Sequence, residues 1–223
     1  MVFCFIFYKK LKTKPLRLFF IYTITIVFSL FLLSYLRSKA FTSELPYIIF
    51  FRIFQIFEFT IIALFIHSLL VSKKLKKIIL FSIIPFALFS ILMFWIRPKQ
   101  YIDSIPAIVE ALLLIIFFIF YFYEKIKTVY QYPLTQTISF WISVAFFMYF
   151  TGNFFFFIFI DTDAQGKFPK EYFVVYAFFT LIKNIILCLA LFAKEPTQES
   201  QELQIPDDLN LDDFLPENHK PES

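Results

Sequence analysis

Six long apolar runs decide what this chain can fold into. They cover residues 18–36, 46–71, 78–96, 102–123, 134–160 and 172–193. Lipid offers a bare backbone no hydrogen bonds, so such a run crosses a bilayer as a helix or as a strand of a closed barrel. The runs are continuous rather than alternating, and most match the ~20 residues that a crossing helix needs. Helices are therefore expected. Of 223 residues 60% are hydrophobic and 23% aromatic, with 37 Phe against 2 Gly, more apolar surface than a water-soluble core of this size requires. The expected fold class is all-α: a polytopic transmembrane helix bundle of six spans. Pro46 and Pro106 fall in first turns, where proline costs little. Pro85 falls inside the third run, where a kink is expected.

The flanks divide the chain further. Residues 1–17 form a basic segment that begins with an apolar stretch too short to cross. Its charges follow the apolar residues instead of preceding them, unlike a signal peptide. Two readings stay open: an interfacial anchor, or the end of a seventh helix of a truncated seven-helix bundle.

Positive charge sets the orientation. Twelve Lys and Arg flank one side: Lys9, Lys10, Lys12, Lys14, Arg17, Lys73, Lys74, Lys76, Lys77, Lys125, Lys127 and Lys194. Six flank the other: Arg37, Lys39, Arg97, Lys99, Lys167 and Lys170. The richer side faces the cytoplasm, so both termini are expected there, in a multi-pass protein of the cytoplasmic (inner) membrane. The run Lys73, Lys74, Lys76 and Lys77 is expected to hold anionic lipid headgroups. The basic residues sit beside spans and match lipid and topology needs, so no nucleic-acid partner is expected.

Residues 194–223 hold nine of the 17 acids against Lys194 and Lys220, a net charge of −7 beside a formal net charge of +4 for the whole chain. With four Pro and few aromatics, this tail is expected to be disordered. Its stretch 205–218 alternates acids with Leu and Phe, a pattern that suits either a solvated tail or a segment that folds against a basic cytoplasmic partner.

The reactive residues bound the chemistry. Cys4 and Cys188 both fall towards the cytoplasmic side, where thiols stay reduced, and no disulfide is expected. His67 and His219 are the only histidines. No paired ligand spacing for zinc or haem exists, and Gly152 and Gly166 alone cannot build a phosphate loop. No metal, cofactor or catalytic residue is assigned, and an enzyme is not expected.

The polar residues inside the runs carry the functional reading. Glu58 lies at the midpoint of the second run, Glu110 near the centre of the fourth and Lys183 at the centre of the sixth. These three runs point the same way through the membrane, so the charges arrive at similar depth. A charge at a helix centre costs about 2.5–3.5 kcal/mol on insertion scales. Each neighbouring Leu, Ile or Phe returns only about 0.3–0.6 kcal/mol. Glu58, Glu110 and Lys183 are therefore expected to face inward as one ionisable cluster. Arg52, Gln55 and Glu58 follow one helix face, and Asp103 and Glu110 share another, with Ala107 and Ala111 allowing close approach. Arg52 and Asp103 form an expected outer ion pair. Thr151, Gly152 and Asn153 make a polar break in the fifth run, suited to a close backbone approach. For the charges two readings stand: glue between helices, or a ligand or proton site that biases two packings.

The stretches "IVEALLLIIFFIFYFYEKIK", "YPLTQTISFWISVAFFMYFTGNFFFFIF" and "FFTLIKNIILCLALFAK" resemble uncharacterised bacterial multi-span proteins. Through them the chain is similar to the seven-helix membrane sensor regions found beside or fused to histidine kinases. The likeness covers residues 46–194 and rests on Glu110, Phe140, Trp141, the "YFTGNFFFF" run and Lys183–Asn184. It implies a sensory or adaptor module. The chain departs from it in having six clear spans and no kinase domain. The expected function is thus a non-enzymatic membrane sensor or adaptor signalling to a cytoplasmic protein. The alternative is a small proton-coupled or solute transporter built on the same cluster, against which stand the scarcity of Gly and the lack of an inverted repeat.

Overall fold

The apolar runs form helices that reach beyond the runs into the flanking polar turns. The computed structural model describes residues 13–38, 45–96, 104–127, 134–162, 170–190 and 192–193. Among the described residues six α-helices follow one another: α1 (Lys14–Ser38), α2 (Leu45–Leu69), α3 (Lys73–Ile96), α4 (Ser104–Lys127), α5 (Ile138–Thr162) and α6 (Lys170–Ala190). A 3-10 turn at Leu134–Gln136 precedes α5. No strand occurs among the described residues. Residues 1–12, Asp103 and the acidic tail lie outside them.

Among the described residues five helices, α1 to α5, are long and apolar enough to cross a membrane, as a multi-pass membrane protein requires. A helix of 25 residues such as α2 spans about 37 Å, enough for a hydrocarbon layer of about 30 Å. The apolar part of α6, Val174–Ala190, is shorter.

Local chemistry sets the helix ends. The carbonyl of Ser72 accepts the Lys76 N–H at 3.1 Å, which makes Ser72 the N-cap of α3. The four lysines at 73–77 therefore ride on the first turns of that helix, and only Leu70, Val71 and Ser72 connect it to α2. Helix α3 continues through Pro85. The fifth run is helical only from Ile138, because the 3-10 turn intervenes, and the Trp141 indole donates to the Thr135 carbonyl at 2.7 Å across that join. Beyond α6, Phe192 N–H bonds the Leu189 carbonyl at 3.0 Å and closes the helix in a tight turn.

Helix α2 is the central element. It packs on α1, α3 and α4, while α5 packs on α4 and α6. The core is aromatic, and its hub is Phe146 of α5, which is 2% exposed. The Phe146 ring centroid lies 5.0 Å from Tyr22 and 6.2–6.5 Å from Phe19, Phe65, Phe118 and Phe150. Edge-to-face and offset pairs of this kind add about 0.5–1.5 kcal/mol each beyond simple burial. The outer faces carry Phe31, Phe81, Ile84, Leu88, Val174 and Phe178, all exposed. Water would not tolerate such a surface, whereas lipid tails cover it at no cost.

Candidate functional site

Polar side chains from five helices meet inside this apolar bundle. The central one is Glu58 on α2. Tyr22 of α1 donates its hydroxyl to Glu58 Oε1 at 2.9 Å. Gln55, one turn before Glu58 and 4% exposed, lies beside Glu110 of α4, which is 5% exposed. Glu58 lies close enough for its charge to act on Glu110. Helix α4 comes near at this level because Ala107 and Ala111, both buried, flank Glu110 and take little room.

Lys183 enters from α6 and is 6% exposed. Its ammonium sits over the Tyr149 ring of α5, 4.1 Å from the centroid, a cation–π arrangement. The Tyr149 hydroxyl in turn lies 3.3 Å from that of Tyr176 on α6. Lys183 and Glu58 sense each other's charge without closing into a direct ion pair. The structure thus brings Glu58, Glu110 and Lys183 into one cluster. It adds three tyrosines, Tyr22, Tyr149 and Tyr176, that the sequence reading did not single out. Tyrosine in a membrane protein collects at the two interfaces. Tyr149, near the middle of α5, was the available signal.

The cluster is only partly satisfied. Glu110 Oε1 and Gln55 Nε2 are buried without a hydrogen-bond partner, and the Gln55 amide, though beside Glu110, lies outside hydrogen-bonding geometry. Burying a polar group without a partner costs about 1–3 kcal/mol on mutational scales. Glu110 also sits higher in its helix than expected: α4 extends to Lys127, so Glu110 is only six residues from the helix start at Ser104.

The remaining sequence candidates lie apart from the cluster. Arg52 of α2 is buried, donates from Nη1 to the Ser90 carbonyl at 3.2 Å and stands 5.4 Å from the Phe94 ring centroid. Its expected partner Asp103 lies outside the described residues. A shallow groove of about 130 Å³ opens beside Arg52 between α2 and α3, lined mainly by Ile49, Ile53, Ile56 and Ile91. In the polar break, Thr151 Oγ1 donates to the Phe147 carbonyl at 2.8 Å. Gly152 lies against the ring of Phe179, and a methyl group there would overlap that ring. Here the glycine is needed for the α5–α6 approach. Asn153 is 2% exposed, and its Oδ1 has no partner. Among the described residues no three His, Cys, Asp or Glu side chains gather to hold a metal ion.

A second site was missed in the sequence. Glu124, in the last turn of α4, accepts the backbone N–H groups of both Val71 and Ser72, the latter at 3.0 Å. An acid at a helix C-terminus opposes the helix dipole. Glu124 is held there because it clasps the α2–α3 connection, at the foot of the lysine-bearing helix α3. One rigid helix therefore carries Glu110 in the cluster and, 14 residues or about 21 Å further on, the clasp.

No protein-family model, no curated protein and no solved structure matches the chain.

Proposed function

We propose that the protein is a non-enzymatic sensor or adaptor of the cytoplasmic membrane, with α6 as the sixth span, both termini inside and a disordered acidic tail. In this reading the buried cluster is the input, and the basic inner rim with the tail is the output to a cytoplasmic protein. The incomplete pairing of the cluster carries the reading. Charges kept purely as glue gain most by closing every hydrogen bond and ion pair. Here Lys183 stops over Tyr149, and Glu110 and Gln55 retain buried unpartnered atoms. Such a cluster has a second arrangement within reach, and an input that favours it shifts the population. Helix α4 supplies the link, because a displacement at Glu110 is transmitted to the Glu124 clasp and so to the foot of α3.

The test is a spin-label distance between Lys77 and Phe192, each changed to Cys in a protein whose Cys4 and Cys188 are Ser. In lipid nanodiscs, Glu110→Gln is expected to shift this distance distribution relative to the parent. If neither Glu110→Gln nor Lys183→Met moves the inner face, the cluster is glue and the proposal fails.

A further inference from the structure

We propose that the group bound by the cluster is a proton, held on Glu110, while Glu58 is the fixed anion that faces Lys183. This names the input of the sensor reading and rests on it for its consequence.

The two carboxylates differ in what surrounds them. Glu58 has a hydroxyl donor in Tyr22 at 2.9 Å, and the Lys183 charge acts on it. Both neighbours favour a negative charge on Glu58. Glu110 has neither. From α2 it meets Gln55 and the like charge of Glu58. From α1 it meets Tyr22, whose hydroxyl is already committed to Glu58. On α5 the titratable residue with a described side chain is Tyr149, which interacts with Tyr176, Glu58 and Tyr22 and not with Glu110. Helix α3 packs on α4 and carries no titratable residue between Ile78 and Ile96. Arg52 is engaged at the Ser90 carbonyl, and Lys183 and Tyr176 belong to the Glu58 side.

One ammonium therefore stands against two carboxylates, and it is assigned to Glu58 by position. A second, uncompensated carboxylate at Glu110 would face Glu58 across a water-poor space, where like charges repel strongly. Forming an O–H bond on Glu110 with a proton drawn from bulk solvent removes that charge, and losing the proton to bulk solvent restores it. Oε1 of Glu110, on a residue 5% exposed, has no hydrogen-bond donor that a proton there would displace. Two carboxylates placed in unlike surroundings divide the roles of acid and anion in this way. Loss of the proton sets α4 against α2 by repulsion between Glu110 and Glu58, which is a mechanical input to the α4 clasp.

Infrared spectroscopy of the full chain in liposomes tests the assignment, because a protonated carboxyl absorbs at a C=O stretch that a carboxylate lacks. At a pH where exposed acids are ionised, one buried carboxyl band is expected in the wild type. The band should vanish in Glu110→Gln and persist in Glu58→Asp, which keeps the anion. In the unaltered protein, alkaline titration should remove it reversibly in a single one-proton step, a readout that does not depend on any variant folding. A band that survives Glu110→Gln places the proton elsewhere and overturns the proposal, as does a wild type with no band. A band lost in Glu110→Gln with an unmoved Lys77–Phe192 distance would uphold the proton site and remove the sensor reading. A shifted distance without any band would do the reverse.

Discussion

Phe146→Ala removes the hub of the aromatic core. The wild-type ring touches five others on α1, α2, α4 and α5, at centroid distances of 5.0–6.5 Å. In water such a substitution costs about 3–5 kcal/mol, of which part is lost hydrophobic transfer. In a bilayer the transfer part falls away, since lipid is as apolar as the protein interior. What remains is the ring packing: five pairs at about 0.5 kcal/mol each give about 2.5 kcal/mol. Phe81 on α3 is the control, because it is 73% exposed on the outer face. Phe81→Ala should cost less than about 0.5 kcal/mol. Denaturant unfolding of the detergent-solubilised protein, followed by helical circular dichroism, measures both. Equal losses for the two variants would refute the packing argument and the inward placement of Phe146.

Further outcomes follow from single contacts. Gly152→Leu should cost about 1–3 kcal/mol and loosen α6 from α5, since any side chain at 152 meets the Phe179 ring; pairing it with Phe179→Ala should recover part of the loss in the same unfolding assay. Glu124→Ala should free the Val71 and Ser72 amides, cost about 1–2 kcal/mol and speed hydrogen exchange at those two positions, whereas Glu124→Gln, with one acceptor oxygen in place of two, should lose about half as much. Reporter fusions after Lys39, Lys77, Lys99, Lys127, Lys167 and Lys194 should alternate between the two sides starting outside, and an outside signal after Lys194 would contradict the orientation.

The helices were legible because their cause is physical and continuous: a backbone in lipid must bond to itself, and 20 apolar residues in a row leave it no other form. Their ends were less so. Apolarity marks where a helix meets lipid, yet Lys73 to Lys77 and Glu124 to Lys127 continue their helices into polar surroundings without any change of backbone preference. Glu58, Glu110 and Lys183 stood out because a charge in an apolar run has contrast. The groups that surround them did not. With 37 Phe and 12 Tyr in the chain, neither the Phe146 hub nor Tyr22 and Tyr176 differ locally from their neighbours. Their roles come from which helices meet, and spacing within one helix does not carry that information. Glu124 was hidden for a related reason: at a polar helix end an acid looks solvated, and only the neighbouring α2–α3 connection gives it two donors.

The cluster itself is tested most directly by a double-mutant cycle between Glu58 and Lys183 in the full chain. Lys183 is buried, with its ammonium over the Tyr149 ring, and it and Glu58 act on each other's charge without direct contact. Glu58→Gln strands the Lys183 ammonium, and Lys183→Met strands the Glu58 carboxylate, whereas the double variant strands neither. Both single variants should lower unfolding stability, and the double variant should recover part of the loss, with a coupling on the order of 1 kcal/mol. Single effects that add to within about 0.3–0.5 kcal/mol would mean that the two residues are independent, and would contradict the cluster.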